Sequence, residues 1–250
     1  MTTLRGLGQL TRMEIKLYFR EFFAVFFNLG FPLIMLFLFG SIYGNTPNPF
    51  FGGYGSVDVL TPAYLAMLIG TSGLLTMTIS ISTYRELGVL RRYKATPLSP
   101  QTLLFAQLLA VFLMLVLGVV LLLVCAKLVF HLRFNGSALS VTGAFLLSSL
   151  SFFSLGFVLA GLMPSARSAQ AAAMIIYFPM LFLSGAAIPR EVLPATVRQV
   201  AKVLPMTHVV NLLRGLWVGD PWGKHLTEVL VLAVVAAVGL VVAVKTFRWE

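Results

Sequence analysis

Three histidines and eight carboxylates are all that this 250-residue chain offers for acid–base or metal chemistry. His131, His208 and His225 stand apart from one another, and the acids never join them at ligand spacing, so no metal site is expected. Ser72, within Gly70-Thr71-Ser72-Gly73, could serve as a nucleophile only with a histidine base in hydrogen-bond reach, and all three histidines lie outside the long apolar runs. Gly223-Lys224 lacks the earlier glycine and the following hydroxyl of a phosphate-cradling loop, so the chain is not expected to hydrolyse ATP by itself or to bind a cofactor. The single cysteine, Cys125, sits inside an apolar run and has no partner for an intrachain disulfide. No catalytic residue is expected.

The chemistry that remains is contact chemistry. Between Arg85 and Pro100 the chain reads Arg-Glu-Leu-Gly-Val-Leu-Arg-Arg-Tyr-Lys-Ala-Thr-Pro-Leu-Ser-Pro, a charged island between two apolar runs. The preceding positive residue is Arg20, so the island stands out as a cytoplasmic loop by the positive-inside rule. It is too short for a catalytic domain and suits docking against a soluble partner. Ser99-Pro100 reads as an N-cap and first helical position, and Thr96-Pro97 keeps the junction from running helical throughout.

The elements that position this island follow from composition. A chain 59% hydrophobic and 10% charged has too little polar surface to cover a soluble globule, for which about 25% charge is usual. The net charge of +10 is spread over the ends of apolar runs and fits no nucleic-acid motif. Charge-free runs long enough to cross a hydrocarbon core of about 30 Å occur at 22–43, 62–83, 101–126, 139–163 and 168–188, and a shorter one at 229–244 is expected to begin a turn earlier, near Glu228. Six spans put both termini on one side, and the balance of Lys and Arg puts that side in the cytoplasm. The loop 44–61, with Asp58, is then outside.

Residues 1–21 gather Arg5, Arg12, Lys16 and Arg20 on one arc with Leu4, Leu7, Leu10 and Leu17 on the rest, as expected of a helix lying on the anionic inner leaflet. In the outer segment 189–226, the stretches 194–204 and 207–217 read as two short amphipathic helices that dip into the outer leaflet. Asn28 is the main strongly polar residue of the first span. On the second, Ser72, Thr76, Ser80 and Thr83 fall within about 80° of one another on an ideal helix. This stripe is either a polar wall facing a path or a partner protomer, or a set of hydroxyls each bonded to its own i−4 carbonyl. Met67 and Thr78, on the opposite side, are expected to be silent. Small residues such as Gly156 and Ala160 suggest close helix packing.

With its place between the second and third spans, the island resembles the cytoplasmic signature of ABC transporter permeases of the type-two export class. The resemblance rests on Glu86, Gly88, Leu90-Arg91-Arg92 and 95–100, and on Phe182-Leu183-Ser184-Gly185 through Pro189, Leu193-Pro194, Leu204-Pro205-Met206-Thr207-His208 and 211–215. It covers essentially the whole chain. It implies an all-α integral membrane protein with an N-terminal amphipathic interfacial helix, six transmembrane helices, a short cytoplasmic coupling helix in 84–100 and outer re-entrant helices in 189–226, all within one permease domain, 1–250. It further implies a dimer of permease protomers, identical or different, in the lipid of the cell membrane. A separate nucleotide-binding ATPase subunit would carry ATP and Mg and be contacted by Glu86, Gly88, Arg91, Arg92 and Lys94. Asn28, Ser72, Thr76, Ser80 and Thr83 would then line a translocation path, since the second and fifth spans of the family face the dimer centre. The aromatic-rich, apolar spans favour export of a lipophilic or amphipathic cargo. The alternatives are an intramembrane serine protease of rhomboid type using Ser72, and a non-transporting anchor that recruits a soluble partner.

Overall fold

The structure, a computed structural model, describes residues 2–89 and 100–246, which form helices joined by loops, with no strand among them. Six helices are long and apolar enough to cross a membrane: Phe26–Tyr43, Ser56–Glu86, Gln101–Phe130, Ala138–Leu162, Ala166–Leu183 and Trp222–Lys245. They are called here the first to sixth spans. A further helix, Thr2–Tyr18, precedes them, and two shorter ones, Ala195–Ala201 and Pro205–Trp217, lie between the fifth and sixth. The latter two match the amphipathic stretches expected there. Val209, Leu212, Leu213 and Leu216 of the longer one are buried, and it packs on the second, sixth and fourth spans.

The second span is the axis of the molecule. All of its residues from Ser56 to Met77 are buried, and the first, third, fourth and fifth spans pack around it. Glycine sets its contact with the fourth span. A Cβ placed on Gly156 would lie 2.0 Å from the carbonyl oxygen of Gly73, so the two backbones touch where side chains elsewhere hold helices apart. Thr78 Oγ1 donates to the carbonyl of Gly156 itself at 3.1 Å. The sixth span is held to the fourth by Ser151, whose hydroxyl donates to Leu232 O at 2.7 Å.

One expectation is corrected. The second span begins at Ser56, not at Pro62, so Asp58 is not in a loop but buried in the first turn of a helix. Asn45 makes this possible: its Oδ1 accepts from Val57 N and Asp58 N at 3.1 and 3.2 Å, the cap that Gly55 cannot supply, and its Nδ2 donates to Asp58 Oδ1 at 2.9 Å. The Asp58 carboxylate also receives Arg133 N at 2.8 Å. The helix Thr2–Tyr18 also packs on the third span. Leu10 is buried against Leu103 and Ala106 of the third span, while Met13 and Leu17 stay exposed. Glu14 is buried on this helix and accepts the Tyr84 hydroxyl at 2.5 Å.

Candidate functional site

Two polar assemblies stand out, one in the middle of the bundle and one at the end that bears the island. The first forms where two π-helical turns meet, Phe26–Gly30 in the first span and Thr71–Thr76 in the second. A π turn shifts bonding to i→i+5, seen in Phe31 N to Phe26 O and Met77 N to Ser72 O, and leaves one carbonyl without its usual partner. Asn28 lies in the first of these turns. Its Nδ2 donates to Ala24 O at 3.1 Å and to Thr76 Oγ1 at 3.0 Å, and its Oδ1 accepts from Ser72 Oγ at 2.5 Å. Both amide protons and the carbonyl are engaged, which is what a fully buried amide requires. Across the second span, Thr71 Oγ1 lies 2.7 Å from the Tyr177 hydroxyl of the fifth.

Asn28, Ser72 and Thr76 are thus brought together, but Ser80 and Thr83 are not part of the cluster. The π turn adds about one residue, roughly 100° of rotation, to the helix above them. Ser80 is half-buried and Thr83 donates to its own i−4 carbonyl, Ile79 O, at 2.8 Å. Ser72 bonds an amide and not an imidazole, so nothing supports a protease. Met67 and Thr78, expected to be silent, are fully buried in helix contacts. The residues that sequence reading missed are Thr71 and Tyr177, and no signal at the level of one helix could have paired them.

Beside this cluster lies a cleft of about 280 Å³ between the segment leading into the first span, the second span and the fifth. Phe22, Phe27, Leu75, Ile79, Met174 and Phe178 make it mostly apolar, with Thr71 and Thr76 at its back and Glu21 and Gln170 also on its wall. A second cavity of about 470 Å³ lies at the far end, where Arg190, Asn211, Arg214 and Lys224 meet Asp220 and Glu228. There Arg190 Nη1 donates to Asn211 Oδ1 at 2.6 Å, and Lys224 pairs with Asp220 at 2.6 Å and holds that carboxyl below the ordinary carboxylate range.

At the island end, the second span closes on Arg85 and Glu86. Arg85 Nη1 donates to Ala160 O at 2.8 Å and Gly161 O at 3.4 Å, and its Nη2 donates to Met163 O. Glu86 Oε2 accepts from Ala166 N at 2.6 Å. Gly88 then turns the chain with a φ of 64°, in the left-handed region that favours glycine. Arg91, Arg92 and Lys94 lie outside the described residues.

A family model described as ABC-2 type transporter matches residues 5–217. The chain belongs to the ABC-2 type transporter family. Permease subunits of this family are not themselves enzymes, and with its six apolar helices this member is a multi-pass membrane protein. The chain is also similar to proteins named Nodulation protein J. It is 33% identical to that of Rhizobium leguminosarum bv. viciae over 41% of its own length, and 34% identical to that of Rhizobium meliloti (strain 1021) over 36%. These matches span 39% and 35% of the two relatives' lengths.

Proposed function

We propose that this chain is the membrane-spanning permease subunit of an ATP-driven ABC exporter, working as a single domain over residues 1–250 with both termini in the cytoplasm of a cell with this protein in its inner or plasma membrane. ATP, with Mg, is bound by a separate ABC ATPase subunit that hydrolyses the ATP, because this chain carries no phosphate cradle. The basic residues Arg91, Arg92 and Lys94 dock on that subunit, while Glu86 is engaged by Ala166 N. A second protomer, identical or different, completes the membrane path. The cleft between the first, second and fifth spans admits a lipophilic or amphipathic cargo from the inner leaflet, its apolar part against Phe27, Met174 and Phe178 and its polar part toward Thr76 and the Asn28 cluster.

The observation that carries this reading is the match of the ABC-2 model to residues 5–217 of a chain with six apolar helices. The nodulation proteins add support through similarity over part of their length. The test is co-purification of the ABC ATPase with this chain and with its Arg91→Ala, Arg92→Ala double variant. Two charge-assisted contacts of about 1.5–3 kcal/mol each predict docking weakened about a hundredfold or more. Equal recovery of the ATPase with both proteins contradicts the docking role, and recovery with neither favours an anchor for some other partner.

A further inference from the structure

We propose that Arg85 and Glu86 act as an electrostatic staple that makes the end of the second span, the end of the fourth and the start of the fifth move as one body. A stroke received by the island then displaces the fifth-span wall of the cleft. This rests on the reading that the island docks an ATPase.

The geometry is that of two adjacent side chains gripping two helix ends of opposite polarity. The fourth span ends at Leu162 and the fifth starts at Ala166. The last carbonyls of a helix lack partners and carry the negative end of its dipole. Arg85 meets those of the fourth span, at Ala160, Gly161 and Met163, with a guanidinium fork. The first amides of a helix lack partners and carry the positive end. Ser165 caps Ser168 N at 3.2 Å, and Glu86 takes Ala166 N, one that the capping box leaves. Each charge has the sign that its helix end favours, and exchanging the two residues would make both contacts repulsive.

Position gives the staple its consequence. Arg85 and Glu86 are the last residues of their helix and the first of the island. Ala166 opens an 18-residue helix on which Gln170, Met174 and Phe178 follow at intervals of four, and all three line the cleft. Its opposite wall, from Glu21 to Phe27, is the segment that leads into the first span, and the staple does not touch it. Displacing Ala166 with Glu86 therefore changes the width of the cleft instead of carrying the whole bundle along. These are positioning residues: they touch backbone ends and not cargo.

The test uses the permease–ATPase complex in lipid nanodiscs, with Cys125→Ser as background and spin labels at exposed sites. The pair Phe22→Cys and Leu87→Cys reports the island root, and Phe22→Cys with Gln170→Cys reports the cleft. Distances are compared without nucleotide and with trapped ATP. The native pair should show a change at both. In Arg85→Gln, Glu86→Gln, the ATPase should still co-purify and the Leu87 change should persist, while the Gln170 change falls to less than half. Arg85→Lys should restore part of it. The single variants Arg85→Gln and Glu86→Gln repeat the measurement should the double variant fail to fold. Equal changes at Gln170 in native and variant proteins overturn the staple, and so does loss of ATPase binding in the variants alone, which makes the pair a docking contact. Absence of ATPase from the native protein would instead defeat the docking reading itself.

Discussion

The second and third spans are both about thirty residues long and invert each other's logic. The third is the most apolar, with mean hydropathy 3.3, and only 33% of its most apolar window is buried; the second has mean hydropathy 1.6 and 89% buried. In water the more apolar helix would be the core. In lipid the apolar surface is already solvated, so helices associate through close backbone contact and polar groups that find partners. The second span has both, in Gly73 against Gly156 and in Ser72 and Thr76 against Asn28.

The largest effect expected from this contrast is at Gly156. Gly156→Leu forces the second and fourth spans apart and should destabilise the fold by about 3 kcal/mol or more, read as loss of monodisperse protein in detergent. Val124→Ala, at a 46% exposed site on the third span, should stay within about 0.5 kcal/mol. Comparable losses at both positions would erase the contrast.

Asn28→Ala comes next. It strands the Ser72 and Thr76 hydroxyls in a buried site and should cost about 1–3 kcal/mol, measured by thermal unfolding in detergent. A stability equal to that of the native protein would mean that each hydroxyl is content with its own helix.

How much of this was legible depended on whether the partner lay on the same helix. The spans could be read because charge-free runs of sufficient length have few other uses. The start of the second could not: Asp58 and Pro62 read as loop signals, and the Asn45 side chain that caps the helix lies outside it. Half of the polar cluster was visible as a stripe on the second span, but an ideal helix carried it on to Ser80 and Thr83, and the π turn interrupts that register. The partners of Arg85 and Glu86 are backbone groups, which no side-chain pattern announces. Glu14 was likewise unremarked, since only the docking of Thr2–Tyr18 on the third span buries it.

A smaller effect tests that docking. Burial raises the Glu14 carboxyl above its ordinary value of 4.5, the Tyr84 hydrogen bond opposes this, and Glu21 adds to the rise. A folded-state pKa above the unfolded one stabilises the docked helix fully below the ordinary value, and that stability is lost as pH rises through the raised one. Hydrogen exchange in Thr2–Tyr18 should therefore quicken as pH is raised from 4 upward, after correction for intrinsic rates, and Glu14→Gln should abolish the dependence. A profile that survives the substitution would assign it to another group.

The most direct test of the cleft as an ATP-driven path needs no knowledge of the cargo. Met174→Cys, on the fifth-span wall, and Val124→Cys, on the lipid face of the third span, are placed in the Cys125→Ser permease–ATPase complex, and their rates of reaction with a maleimide are compared without nucleotide and with trapped ATP. ATP should change the rate at Met174→Cys at least tenfold and leave Val124→Cys as it was. Equal rates at Met174→Cys in the two states would contradict a cleft that ATP opens and closes.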